Sequence, residues 1–257
     1  MTIESRGSDL VALHYAPELL QVVNVWDVVS ATAVAALPET RALATASHSI
    51  AATFGYEDGE NIPLDLHLDM IARIVSAVDV PVSADLEAGY GDAGETIRRA
   101  IGVGVVGANL EDQMKPLDES LASVEAAVKA AQAEGIEFAL NARTDAFLRA
   151  GDTPAEEVLA EAIARGRAYL DAGATCVFVP GLLDEPTVTQ LVEALGKQRI
   201  SVIGVPGSLA PKTFEELGVA RISYGPWTQR VALTALQDAA TTLYAGGALP
   251  EGTRPLN

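Results

Sequence analysis

A closed (β/α)₈ barrel is the fold class this sequence predicts, on three observations. Eight short β-rich runs alternate with longer helical patterns from about residue 22 to the end. Several runs are apolar on both alternations, as parallel strands buried on both faces require. Acidic side chains and one arginine recur where the runs end, and the C-terminal strand ends are where such a barrel gathers its reactive groups. An open doubly wound sheet is the alternative, but no nucleotide fingerprint supports it.

The runs are VVNVW (22–26), RALATA (41–46), VPVSAD (80–85), GANLE (107–111), EFALNA (137–142), CVFVP (176–180), ISVIGV (200–205) and ARISYG (220–225). Between them LDLHLDMIARIVSAV, ETIRRAIGVG, LASVEAAVKAAQAEG, PAEEVLAEAIARGRAYLDAG, EPTVTQLVEALG and RVALTALQDAATTLYAGG carry apolar residues at three- and four-residue spacing, the mark of amphipathic helices. Gly135, Gly173, Gly196 and Gly218 stand where helices should stop and strands follow. Asp152, Thr153 and Pro154 offer a helix cap followed by a first-turn proline. Gly102, Gly104 and Gly107 match the glycine spacing of a dinucleotide loop but follow a helix and precede a strand, the reverse of the required order.

No linker or low-complexity run divides the 257 residues, so one domain over 1–257 is expected. The formal charge of −18 repels nucleic acid and anionic membrane, which sets both aside as partners. A small anionic substrate then needs local help from a metal or an arginine. The single cysteine, Cys176, permits no intramolecular disulfide. The N-terminus lacks a basic segment followed by an apolar one, and apolar runs are short, so a cytoplasmic protein is expected.

The acids at run ends are Asp27 in NVWD, Asp85 and Glu87 in VSADLEAGYG, and Glu111 in ANLED. Converging carboxylates suit a hard cation such as Mg²⁺, which takes oxygen ligands. Asp85 and Glu87 straddle one residue and would point to the same side of an extended chain. Asp27 could instead cap a helix beginning near Ser30. Arg143 follows an apolar strand, where a guanidinium needs a partner. It could hold a substrate anion or form an ion pair with Asp145 or Glu111. Ser47 ends the second run, and Asp58 lies on the glycine-flanked loop GYEDGEN. His48 is the one histidine near a strand end, open to proton work or to a structural role. Cys176 reads as packing. Lysines 115, 129, 197 and 212 fall outside the strands, which argues against a Schiff-base aldolase.

ATASHSIAATFGYEDGE (44–60), VPVSADLEAGYGD (80–92), GANLEDQ (107–113) and NARTDAF (141–147) resemble, in order, the isocitrate lyase/phosphoenolpyruvate mutase superfamily. The resemblance implies a (β/α)₈ barrel, often with the last helix exchanged between subunits of a homodimer or homotetramer. It also implies Mg²⁺ held by Asp85 and, largely through waters, by Glu87 and Glu111. The superfamily's substrates share a 2-oxo acid unit or its enolate. By position, Ser47 and the neighbouring backbone amides of Ala46 and His48 would hold the pyruvyl carboxylate. Asp58 would sit beside the reacting centre, and Arg143 would bind the departing group.

The chain departs from that pattern after the fourth run. The lyases and mutases carry a longer gating loop there, with a catalytic cysteine in the lyases. Here Glu111 is followed by DQMKPL and then helix, with no cysteine. Ala44 stands where mutases place an indole, and Glu87 replaces a more usual aspartate. The resemblance therefore implies Mg²⁺-dependent cleavage of a C–C or P–C bond in a small 2-oxo acid, oxaloacetate- or phosphonopyruvate-like, through a pyruvate enolate. A phosphonomutase-type isomerase, a non-catalytic 2-oxo-acid-binding barrel and an unrelated metal-dependent aldolase are the alternatives.

Overall fold

The computed structural model describes residues 2–256. Residues 1 and 257 of the expected domain lie outside the described residues. Eight parallel strands close on themselves in sequence order: β1 (Leu20–Val25), β2 (Leu43–Thr45), β3 (Val82–Asp85), β4 (Gly107–Glu111), β5 (Ala139–Arg143), β6 (Cys176–Phe178), β7 (Ile200–Ile203) and β8 (Arg221–Ser223). The β1–β8 pairing, with Leu20 opposite Arg221, completes the barrel. All eight predicted runs become strands, most of them shorter than the apolar run that marked them.

The strands alternate with helices α2 (Val28–Ala35), α3 (Ser47–Thr53), α4 (Leu64–Ser76), α5 (Ala93–Gly102), α6 (Leu117–Ala133), α7 (Ala155–Asp171), α8 (Glu185–Leu195), α9 (Pro211–Leu217) and α10 (Trp227–Tyr244). Their apolar stripes pack on the outer faces of the strands. Ile71, Ile74, Ile97 and Val124 meet Leu43, Val82 and Leu140 in one buried cluster, and Val188 and Leu191 meet Val177 and Val202 in another. Asp92 caps α5 by accepting from the backbone N–H of Glu95, and Asp184 caps α8 from that of Thr187. The expected Asp152 cap is not formed. Pro154 itself occupies the cap position of α7, with no side-chain bond to the helix. Gly102 ends α5 and Gly107 opens β4, so the glycine-spaced stretch is a helix-to-strand turn.

One helix precedes the barrel unannounced by the motifs, α1 (Ile3–Tyr15). It covers the N-terminal end, where Leu10 packs against Leu20, Val106 and Ala139. A Cβ on Gly7 would lie 2.2 Å from the Glu137 carbonyl oxygen, so only glycine permits this approach. The barrel interior is polar. Asn141 donates to Asn109 Oδ1 at 2.7 Å, and Arg221, fully buried, donates to Ser83 Oγ at 3.1 Å. At the other extreme α10 stands largely in solvent. Gln229 is its one buried side chain, while Val231, Leu233 and Leu236 are exposed. Among the described residues no helix is long and apolar enough to cross a membrane.

Candidate active site

A pocket of about 420 Å³ opens at the C-terminal end of the strands, the end the barrel class uses for chemistry. Ala46, Ser47, His48, Asp58, Asp85 and Arg143 all line it. Six residues expected from scattered motifs thus come together at one mouth. Ser47 is the first residue of α3, so its amide belongs to a helix turn whose N–H groups lack helical partners. That amide donates to Asp85 Oδ2 at 3.2 Å, and Ser47 Oγ donates to the same oxygen at 2.8 Å. Asp58 Oδ1 lies 3.4 Å from Ser47 Oγ. His48 contributes to the wall, and its Nδ1 is buried without a hydrogen-bond partner.

The other expected acids have different neighbours. Asp27 accepts from the Ser30 amide at 2.7 Å and caps α2 in a reciprocal capping box. Its capping role, and not a place among the pocket acids, is what the structure shows. Glu87 is buried, accepting from the Glu60 backbone N–H and, at 3.1 Å, from the Tyr90 hydroxyl. Glu60 answers by accepting from the Tyr90 backbone N–H at 2.6 Å, and Tyr90 OH meets His67 Nδ1 at 2.8 Å. This clasp ties the loop bearing Asp58 to the loop after β3. Glu111 Oε2 pairs with Arg143 Nη1 at 2.7 Å, while Arg143 Nε donates to Asp145 Oδ1 at 2.7 Å. Both ion pairs foreseen as alternatives for Arg143 are therefore made, and the guanidinium still borders the pocket. It lies 6.0 Å from the centre of the Phe178 ring.

Among the described residues no three His, Cys, Asp or Glu side chains form a ready metal cage. The donor chemistry nevertheless fits a hard divalent cation. Burial, with the charges of Asp85 and Asp58 adding to it, pushes Glu87 up to about 7. Burial likewise pushes Glu111 up to about 7, Asp145 and Asp85 adding to the rise against the pull of Arg143. Negative charge is crowded here beyond what Arg143 offsets, and the available ligands are oxygens. Asp85 would hold such an ion directly, and Glu87 and Glu111 would act from farther out.

Sequence reasoning missed several members. Asn24 lines the pocket, accepts from the Tyr224 and Gly225 amides at 2.6 and 2.8 Å, and donates to the Thr45 carbonyl. Asn109 lines it too. The signal existed: each is an asparagine interrupting an otherwise apolar buried strand. The short loop after β4 is held by Asp112, which is buried. Its oxygens accept from the Met114 and Asp145 amides, from Tyr169 OH at 2.8 Å and from Arg165 at 3.2 Å. Cys176, fully buried, donates to Asn141 Oδ1, and burial pushes its thiol up to about 12, so it is packing, as expected. The loop backbone at this mouth is unusual. Glu60, Glu87, Tyr90, Gln113 and Met114 adopt left-handed φ angles of 62°, 52°, 51°, 49° and 55°.

Fold and pocket together define a class: a (β/α)₈-barrel enzyme with an acid-rich site at its C-terminal mouth. The family model described as phosphoenolpyruvate phosphomutase matches residues 10–244. The chain belongs to that family, within the superfamily of phosphoenolpyruvate mutase and isocitrate lyase. A protein of Mycobacterium tuberculosis without assigned activity is 32% identical over 243 residues, covering 93% of this chain and 90% of its own. A crystal structure of a candidate phosphonomutase from Burkholderia cenocepacia J2315 superposes with TM-score 0.86 at 38% identity, covering 96% of this chain and 100% of that one. Oxaloacetate acetylhydrolase bound to its product oxalate superposes with TM-score 0.86 at 26% identity, covering 98% and 92%.

Proposed function

We propose that this protein cleaves a C–C or P–C bond of a small 2-oxo acid through a pyruvate enolate or a close homologue, with Mg²⁺ as cofactor. The observation that carries it is the Ser47–Asp85–Asp58 cluster at the pocket mouth, with Arg143 lining the same pocket. Relatives named phosphonopyruvate hydrolase, phosphoenolpyruvate phosphomutase and oxaloacetate acetylhydrolase support the reaction class.

Mg²⁺, when bound beside Asp85, supplies positive charge for the carbonyl end of the oxo acid. Ser47 and the first amides of α3 hold the substrate carboxylate, the Ser47 N–H and O–H exchanging Asp85 for it as acceptor. Asp58 stands where a carboxylate can activate a water or carry a proton at C3. The clasp from Glu87 through Glu60 and Tyr90 keeps the Asp58 loop in place. Arg143 sets its charge beside the departing half.

The test is a chromatographic assay for pyruvate, oxalate and other released acids. Its panel is oxaloacetate, phosphonopyruvate, isocitrate, methylisocitrate and malate-type acids, with Mg²⁺ and with EDTA. Turnover of an oxo acid that EDTA abolishes is the expected result. Stabilisation by oxo acids without turnover of any would replace it with a binding role.

The exposed apolar side chains of α10 support packing of that helix on a second copy, in a homodimer or homotetramer. Light scattering of the purified protein tests the assembly. A cytoplasmic location agrees with the single buried thiol.

A further inference from the structure

We infer that Arg221 is an electrostatic positioning residue for the reaction, acting through its charge from beneath the pocket floor. That charge favours the anionic head of the substrate and its enolate, and weakens the grip on the cation. This rests on the reading above that head and cation bind at Ser47 and Asp85.

Position supplies the first argument. Arg221 opens β8 and is fully buried. Its Nη1 reaches Ser83 Oγ at 3.1 Å, on a strand that is no neighbour of β8, so the guanidinium crosses the barrel interior. Ser83 and Asp85 are two residues apart on β3, a spacing at which side chains share a face. The guanidinium is thus anchored below Asp85, at a point roughly 7 Å further down the strand.

Charge is the second. Arg143 is committed to Glu111 and Asp145. Arg221 forms no ion pair among the described residues, and its Nε and Nη2 meet no protein acceptor. It is also the one fully buried charged side chain of the eight strands among the described residues. The polar side chains buried with it there, Ser83, Asn109, Asn141 and Ser201 among them, are neutral. Neither salt nor a counter-ion screens a charge so placed, and its field reaches the mouth. The same charge adds to the burial that keeps His14 neutral. Burial presses the guanidinium below its usual value, and Cys176 and Asp85 act against that press.

The third argument is that a buried guanidinium without a carboxylate weakens the fold, so packing alone does not account for it. The acid-lined mouth does. Asp58 and Asp85 repel an incoming anion, and a positive charge below them offsets that repulsion.

Calorimetric titration of Arg221→Met and Ser83→Ala tests this, with Mn²⁺ first and then with oxalate on the Mn²⁺-loaded protein. Circular dichroism checks that each variant is folded. At an effective dielectric constant of about 20, a unit charge some 10 Å away changes affinity roughly tenfold. Arg221→Met should therefore bind Mn²⁺ about tenfold more tightly and oxalate about tenfold more weakly. Ser83→Ala removes the bond and keeps the charge, so both affinities should stay close to the parent's. Arg221→Gln is a second neutral variant and should move both ligands in the same directions as Arg221→Met. Weaker binding of both ligands, no change in either, or an equal response in Ser83→Ala overturns this inference alone. Failure of both neutral variants to fold would mark Arg221 as structural and also overturn it. A parent that binds neither Mn²⁺ nor oxalate overturns the head and metal reading, and this inference with it.

Discussion

Arg143 and Glu111 are register partners across the β4–β5 pair and are joined by an ion pair of 2.7 Å. Their side chains are only 21% and 12% exposed, so water screens the pair weakly. Asp145 adds a second carboxylate to the same guanidinium. The pocket's cation is therefore part of the barrel's own construction as well as part of its surface. Arg143→Ala should leave the Glu111 carboxylate without its partner and Asp145 with Arg149 alone at 3.5 Å, and cost about 3–5 kcal/mol of stability. It should also lower kcat/KM. Urea unfolding monitored by circular dichroism measures the first and the release assay the second. A variant as stable as the parent would show that the pair contributes nothing to folding.

Asp85 makes its bonds through one oxygen to Ser47, on the rim and not in the apolar core. Asp85→Ala should keep the fold and abolish Mg²⁺-dependent turnover. Calorimetric titration with Mn²⁺ gives an independent readout, with binding lost in the variant. Parental rates in Asp85→Ala would sink the metal assignment.

Asp112 collects two backbone amides, a tyrosine hydroxyl and an arginine. Asp112→Ala should leave Arg165, which is also buried, without this carboxylate and cost about 3–5 kcal/mol. For a domain of this size that corresponds to a fall in Tm of roughly 6–20 °C. Differential scanning calorimetry would show it. A fall of under about 2 °C, less than 1 kcal/mol on that scale, would mean that the loop after β4 does not depend on this anchor.

Burial holds His14 down at about 3, with Arg221 adding to the effect, and holds His67 at about 4, against a usual value of 6.5. Both are neutral in the folded protein. As pH falls below 6.5 the unfolded chain takes up protons that these sites refuse, so each contribution to stability is full above 6.5 and lost towards pH 4. The raised Glu87 and Glu111 act in the opposite sense between about 4.5 and 7, so the parent's own curve is flattened. A variant comparison isolates the histidine. The stability of His14→Gln relative to the parent should improve by up to about 1.4 kcal/mol per pH unit from pH 6.5 to 4. Urea midpoints at three pH values check it, and a difference independent of pH refutes it.

The barrel was legible because parallel strands buried on two faces leave apolar runs, and the helices between them leave a period of 3.6. Helix α1 was not, since its packing is specified by one close approach at Gly7 that no periodicity announces. Ser47, Asp85 and Arg143 were legible as pocket residues from their places at strand ends, and Asp58 from its glycine-flanked loop and from family likeness. Asp27 shared the strand-end address, yet a local bond to Ser30 claimed it. Asn24 was marked only as an asparagine in an apolar run; its bonds to Tyr224 and Gly225, and the Glu60–Tyr90 clasp, depend on partners from distant parts of the chain or on backbone angles. Sequence spacing carries neither.

The left-handed backbone at Glu60, Glu87, Tyr90, Gln113 and Met114 has one further consequence for the molecule. Among the described residues these are five of the six non-glycine residues in that conformation, and all lie on loops at the mouth, whereas the sixth, Gln198, lies at the far end. Each costs of order 1–3 kcal/mol, strain that the surrounding bonds must hold. Glycine would relieve the angle, but at Glu60, Glu87 and Tyr90 it would also remove the side chains that make the clasp, so the strain is held by the very residues that bear it. A substitution that relaxes one of these turns would therefore also loosen the loop that carries Asp58, and the rim is a place where neither the angle nor the side chain can be changed alone.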